Sequence, residues 1–352
     1  MLSRILVVVA AAAALAGAET AEEAGSDREG KFSVPHMFHI VTFDNGPCQA
    51  QNGEHGTCFS QKECDELKGS VSGKCANGFG VCCILKATCG ETISVNNTYF
   101  INSIDSTTSA TRSTPTHVSP YGSSGHVSYS VPTTCFVTVE PPEGTCQILL
   151  QFDEFEMAGP TEGDCNNDTF VVHGANAGSE IPTLCGNNAG QHMYIDVDNS
   201  AGPFMLATTT SYVEVLRRWK IKVSFIDAHN PCKAPNRCLQ YYKDTSGSFK
   251  SFNYIGKPPM MLNNQNYAIC FAYVPGYCDI GITYTRYDLG DENGECTGDY
   301  TGMNNHKLCG DFESLSTMIN ATSPMTIQVV SDDSNEREEE GFHANYMMMA
   351  CH

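Results

Sequence analysis

The sequence predicts an all-β protein: two tandem sandwiches preceded by a small disulfide-rich module. Three observations lead there. Apolar and polar residues alternate with a period of two in several runs. Turn-forming clusters separate those runs, and one cysteine framework occurs twice.

The first residues indicate the compartment. Arg4 gives a positive start, Ile5 to Leu15 is an apolar run too short to span a membrane, and Ala16-Gly17-Ala18 supplies small residues for cleavage. The pattern predicts a signal peptide over 1–18, removed from the mature chain. No later stretch approaches the roughly 18 consecutive apolar residues of a spanning helix. The expected product is secreted and extracellular. Residues 19–45 read as a polar linker, with the charged stretch Glu19 to Lys31 expected to be disordered.

The 18 cysteines are even in number and bound for an oxidising compartment, so all are expected to pair. No Cys/His spacing fits a zinc site. The formal charge of −20 disfavours nucleic acid and anionic membrane as partners. It permits basic partners or divalent cations, and solubility alone also accounts for it.

Cys48 to Cys83 delimits the first module, taken as 46–85. A chain below roughly 40 residues rarely holds a core unaided. Three disulfides of about 2–5 kcal/mol each would supply the constraint. The remaining twelve cysteines fall into two matching sets. Gly144-Thr145-Cys146-Gln147-Ile148 is echoed by Gly276-Tyr277-Cys278-Asp279-Ile280, and Cys165 with Asp168 by Cys296 with Asp299. Leu184-Cys185-Gly186 is echoed by Leu308-Cys309-Gly310. This is a tandem duplication, 88–232 and 235–352.

Both copies read as strands. Ile148, Leu150 and Phe152 share one face; so do Trp219, Ile221, Val223 and Phe225, and so do Met325, Ile327 and Val329. A Ser/Thr/Pro-rich segment at about 103–134 has no counterpart in copy two and reads as an exposed insertion.

These residues resemble a known family. Cys165 with Asp168 followed by Leu184-Cys185-Gly186, and the same set in copy two, look like the middle of a CUB domain. Ser331-Asp332-Asp333-Ser334, then Gly341-Phe342-His343-Ala344-Asn345-Tyr346, resembles its last loop and strand. The resemblance covers nearly all of Cys89 to Cys351 and implies two jelly-roll-like sandwiches. Gly56-Thr57-Cys58, Cys64 and Gly80-Val81-Cys82-Cys83 resemble an arthropod clip domain, although the spacing from Cys64 to Cys75 is short for one. A clip-like knot before paired CUB domains is similar to secreted arthropod CUB proteins, and the similarity carries no activity with it.

The CUB pattern implies the pairs Cys89–Cys135, Cys165–Cys185, Cys238–Cys270 and Cys296–Cys309. The two extra cysteines of each copy are then expected as Cys146–Cys232 and Cys278–Cys351. The clip resemblance implies Cys48–Cys82, Cys58–Cys75 and Cys64–Cys83. Calcium-binding CUB domains also share a Glu, an Asp after the third cysteine and an Asp in the final loop. Calcium needs six to eight oxygens, so carboxylates must converge. Copy one keeps Asp168 but has Ala158 near the Glu position and no Asp from Thr208 to Tyr212, so no calcium is expected there. Copy two keeps Asp299 and Asp332, the candidate calcium ligands. Gly290 stands where the Glu is expected, with Asp291 and Glu292 adjacent. Turn capping also accounts for both Asp residues, and the missing Glu favours it. No other cofactor is expected.

No nucleophile elbow, His-Glu-x-x-His motif or phosphate loop occurs, so no catalytic residue and no enzyme activity are expected. Asp153 and Glu154 are expected on opposite faces of a strand, and His192 in a structural hydrogen bond. Sequons place glycans at Asn96, Asn167 and Asn320. The expected function is recognition of an extracellular protein or glycan ligand through CUB loops. The alternative is a structural matrix protein or a regulatory cofactor of a clip-type protease cascade.

Overall fold

The computed structural model describes residues 7–10, 38–102, 133–175, 181–197, 203–231, 233–290, 295–303, 305–320, 325–335 and 338–351. Most of the expected signal peptide, linker and Ser/Thr-rich insertion lies outside them. So do Cys232, Asp291 and Glu292.

The chain divides into two compact units, 1–85 and 86–352. In the first, β1 (Val7–Ala10) pairs antiparallel with β2 (Phe38–Val41). β3 (Pro47–Gln49), β4 (His55–Phe59), β5 (Ser70–Cys75) and β6 (Gly80–Ile84) form a sheet in the order β3-β4-β6-β5. Between β4 and β5 lies a helix that the turn-rich reading did not anticipate, α1 (Gln61–Glu66). Ser60 and Glu63 form its capping box: the Ser60 hydroxyl accepts from the Glu63 amide at 3.3 Å, and the Glu63 carboxylate accepts from the Ser60 amide at 3.1 Å. The helix buries Cys64, which bonds Cys83; Cys48–Cys82 and Cys58–Cys75 complete the knot.

The second unit opens with β7 (Lys86–Ala87), β8 (Thr92–Ile93), β9 (Thr98–Ile101), β10 (Thr134–Val139), β11 (Thr145–Glu156), β12 (Thr169–His173), β13 (His192–Asp196), β14 (Phe204–Thr209) and β15 (Arg218–Asp227). They form two sheets, β12-β14-β10-β8 and β13-β11-β15-β9-β7. Then come β16 (Cys238–Tyr242), β17 (Ser246–Lys250), β18 (Asn266–Phe271), β19 (Tyr277–Leu289), β20 (Tyr300–Met303), β21 (His306–Leu308), β22 (Gly310–Phe312), β23 (Leu315–Asn320), β24 (Met325–Val330) and β25 (Gly341–Ala350). Their sheets run β16-β18-β24-β20-β21 and β17-β25-β19-β22, with β23 also paired to β19. The architecture is two all-β sandwiches.

The alternating residues face the core. Ile148, Leu150, Phe152, Ile221, Val223, Ile327 and Val329 are buried, and aromatic rings fill each sandwich. Phe155 meets Phe170 edge-on at 5.5 Å in the first, as Phe249 meets Phe271 in the second.

The duplication is written into the backbone as well. β11 has bulges at Thr145/Gln147 and Phe152/Glu154; β19 has them at Tyr277/Asp279 and Tyr284/Arg286, the matching positions. The first bulge leaves Cys146 or Cys278 as the extra residue. The second shifts the phase, so that β19 buries Ile280, Ile282 and Tyr284, and then Tyr287 and Leu289. It also interrupts the simple alternation expected for Asp153 and Glu154, because Asp153 is its unpaired residue. Disulfides join Cys89–Cys135 and Cys165–Cys185 in the first sandwich, and Cys238–Cys270, Cys278–Cys351 and Cys296–Cys309 in the second. Cys146 has no disulfide among the described residues, and the partner expected for it, Cys232, lies outside them.

The two sandwiches were expected as separate modules, yet they form one compact unit. An apolar cluster of Tyr194 and Ile226 with Ala234, Cys238 and Cys270 joins them, and so does a polar junction. The Asn253 amide donates to Asn188 Oδ1 at 2.7 Å, and the Asn187 amide donates to Asn253 Oδ1 at 3.0 Å. Gln191 Nε2 donates to the Ser251 carbonyl at 3.2 Å, and Gln240 Nε2 to Gln191 Oε1 at 3.0 Å. Gly186, at φ +71°, leaves the space that the Asn253 carboxamide enters.

Candidate functional site

The loop ends of the two sandwiches hold the Asp residues singled out by the repeat, and they hold them differently. In the first, Asp168 is fully buried between β12 and the loop leading to β15. Arg217 grips it in a bidentate pair, Nε to Oδ2 at 2.6 Å and Nη2 to Oδ1 at 3.0 Å. The amides of Ala158 and Ser211 donate to the same carboxylate at 2.8 and 2.9 Å. Burial alone would raise the Asp168 pKa. The Arg217 hydrogen bonds, the two amides and the Arg217 charge outweigh it and hold the group below its ordinary value.

Arg217 is the residue that sequence reasoning missed. A signal existed: an Asp destined for burial needs a cation, and Arg217-Arg218 closes the loop that ends opposite it. The consequence is a loop with both ends fixed to one carboxylate, Ser211 through its amide and Arg217 through its guanidinium. The Asn102 carboxamide holds the second end again, donating to the Arg217 carbonyl at 2.8 Å. Between these anchors Tyr212, Val213, Val215 and Leu216 are exposed, Tyr212 at 82% and Leu216 at 61%.

In the second sandwich, Asp299 and Asp332 come together. The Asp332 amide donates to Asp299 Oδ1 at 2.9 Å, while Asp332 Oδ1 accepts from the Ser334 amide at 2.9 Å and the Ser334 hydroxyl at 3.1 Å. Burial pushes the Asp299 pKa up to about 7; the Asp332 amide opposes that, and the charges of Asp332 and Glu339 add to it. Glu339 is buried, and its Oε1 lies 3.0 Å from where a Cβ on Gly290 would stand. A carboxylate from the last loop thus fills the space that a side chain at position 290 would need.

The described residues bring together the two candidate carboxylates, Asp299 and Asp332; Asp291 and Glu292, adjacent to the missing Glu, lie outside them. The ion needs six or more converging oxygens. Among the described residues no set of three His, Cys, Asp or Glu side chains is grouped so as to hold a metal. Asp332 Oδ1 is spent on a local turn instead. The neighbouring carboxylates at 339 and 340 are also engaged, while Glu338 beside them is exposed. Glu339 points inward, and Glu340 pairs with Arg286 at 2.7 Å.

His192 lies at the junction, between Tyr194 and Tyr242. Its Nε2 accepts from the Tyr241 amide at 2.9 Å, and burial lowers its pKa to about 4, so the ring is neutral and serves as an acceptor. Beside it a cleft of about 440 Å³ is lined by Tyr194, Asp196, Arg237, Asn266, Thr326 and Gln328. At the sequons, Asn96 Oδ1 accepts from the Phe225 amide at 2.8 Å, and Asn167 Nδ2 donates to Thr161 Oγ1 at 3.4 Å. Asn320 ends β23.

No helix among the described residues is long and apolar enough to cross a membrane. No curated protein matches the chain. Two of the solved structures that resemble it are CUB-containing fragments. One is the CUB1-EGF-CUB2 domains of rat MASP-1, 16% identical over 62% of this chain and 93% of that one, with a TM-score of 0.25. The other is the CUB1-EGF-CUB2 domain of human MASP-1/3, 17% identical over the same shares, with a TM-score of 0.24. Within the chain, residues 235–294, from the approach to β16 to five residues past β19, match the animal CUB domain family.

Proposed function

We propose that this is a secreted, non-catalytic binding protein, a clip-like knot followed by two CUB-like sandwiches, that takes hold of an extracellular protein through the loop from Ser211 to Leu216. One observation carries the reading: four apolar side chains stand exposed on a loop whose two ends are tied to a single buried carboxylate. Exposed apolar groups that cluster mark interaction sites. A loop held in place before binding loses little entropy on binding. The Asp168–Arg217 pair thereby supplies from within the chain the fixed charge that a bound cation would otherwise bring.

The carboxylates and His192 support a non-catalytic reading. Glu154 pairs with Arg218 at 3.2 Å, Asp168 with Arg217, and His192 with a backbone amide. A second reading, a glycan ligand, is favoured by the junction cleft, whose tyrosine and amide lining suits a saccharide. The test uses a Tyr212→Ser, Leu216→Ser variant of the full chain, alongside a fluorophosphonate probe. Loss of the partner protein from the variant with no probe adduct on either form supports the proposal. Undiminished binding, or a stoichiometric adduct, overturns it.

A further inference from the structure

We infer that the outward face of the second sandwich carries a thioether site for a soft monovalent metal ion, Cu(I) or its redox-inert counterpart Ag(I), formed by Met318, Met347 and Met349 around Gly281. β23, β19 and β25 lie side by side. Gly281 on β19 pairs with Met318 on one flank and with Met347 on the other. Met349 follows two residues along the same face of β25, while Met348 between them is buried. The three methionines are exposed at 59, 63 and 39%.

Packing does not account for them. The same face is otherwise polar: Ser246, Ser248, Thr283, Ser316 and Asn345 are exposed. An exposed methionine gains little burial, and it is not among the residues that strands favour. What the three share is a glycine at their centre. The Met349 methyl carbon lies 2.7 Å from the position a Cβ on Gly281 would take, so the missing side chain makes the room into which a thioether leans. Met318 and Met347 flank the glycine one strand spacing away on either side, about 4.8 Å each. Three rotatable bonds per side chain let their sulfurs converge over it.

The donor set selects the metal. Thioethers are soft and neutral, and soft sulfur ligands select Cu(I) over calcium, magnesium or zinc. Asp279 pairs with Met349 on the adjoining strand and offers one negative charge beside a monovalent ion. The Cys278–Cys351 disulfide ties the ends of β19 and β25 next to the site and fixes their register. Binding involves no redox step, since the ion arrives and leaves as M(I).

Titration of the full chain with Ag(I), followed by native mass spectrometry and calorimetry, tests the site. One equivalent is expected to bind. It should persist in Cys146→Ser combined with Cys232→Ser, which removes the one cysteine without a disulfide among the described residues together with its expected partner. It should vanish in Met318→Leu, Met347→Leu, Met349→Leu, a near volume-conserving change on an exposed face. Gly281→Val keeps every thioether but fills the gap, and it should also abolish binding. Each variant is checked for wild-type near-ultraviolet circular dichroism, and the single Met347→Leu exchange replaces any that misfolds. X-ray absorption of the complex should show sulfur scatterers alone. Equal binding by wild type and the triple variant, loss in the double cysteine variant, or no binding by wild type overturns the inference.

Discussion

Arg217 and Asp168 meet in the first sandwich as a buried bidentate pair, Nε to Oδ2 at 2.6 Å, at the position where the second sandwich brings Asp332 and Glu339 toward Asp299. One copy answers a buried carboxylate with a cation of its own. The other surrounds it with more acid and leaves it at a pKa of about 7. The duplicated copies thus differ in how the loop end treats the same carboxylate.

Removing one partner of a buried pair leaves an uncompensated charge. Arg217→Leu should therefore destabilise the second unit by about 3–5 kcal/mol in urea unfolding at pH 7. Asp168→Leu combined with Arg217→Leu should recover part of that loss. A single change of less than about 1 kcal/mol would show the pair to be dispensable.

The junction makes its own prediction. Gly186 sits at φ +71° against the Asn253 carboxamide. Gly186→Ala should cost at least about 2 kcal/mol, from backbone strain and from displacement of Asn253. Thermal unfolding of the variant should split into two transitions, because the sandwiches no longer hold each other. A single unshifted transition would count against the polar junction as one reason for the fused unit.

His192 predicts acid sensitivity. Its folded pKa is lowered to about 4 from the usual 6.5. The unfolded chain takes up this proton near pH 6.5, whereas the folded chain resists until about pH 4. Stability from the neutral ring is complete above pH 6.5 and is lost as pH falls toward 4. Between pH 7.5 and 4.5 the wild type should lose on the order of 1 kcal/mol more than His192→Gln, the figure being reduced for partial exposure. Urea midpoints at the two pH values read the difference.

Much of the fold was legible in the residues themselves. Ile148 to Phe152, Trp219 to Phe225 and Met325 to Val329 announce strands because burial of one face imposes a period of two. Other features leave weaker marks. The bulges at Asp153 and Thr285 change which face a residue occupies without changing composition, and they show only as a shift of phase that recurs in both copies. The capping box of Ser60 and Glu63 was readable as Ser-x-x-Glu, but the glycines around it suggested turns alone. Asn253 and Gln191 gave no warning of the junction, since polar residues in a loop read as exposed. At the candidate calcium position the absent Glu was visible as Gly290. That Glu339 would fill its space was not visible, because the two lie far apart in the chain.

Calcium gives a direct check on that position. A ligand that binds only the folded state raises stability in proportion to the logarithm of its concentration over Kd. The melting temperature in millimolar calcium should equal that in chelator. A rise abolished by Asp299→Ala with Asp332→Ala would show that the carboxylates rearrange into a site.

The loop from Ser211 to Leu216 is the centre of the functional proposal, and a photo-crosslinker placed there tests it most directly. Benzoylphenylalanine at position 212 of the full chain, irradiated in the native extracellular fluid, should capture one protein. The same probe at Ser248, an exposed position on β17, should not capture it, and Arg217→Leu should weaken capture at 212 by releasing the loop. Equal capture from positions 212 and 248, or none from 212, would contradict the account.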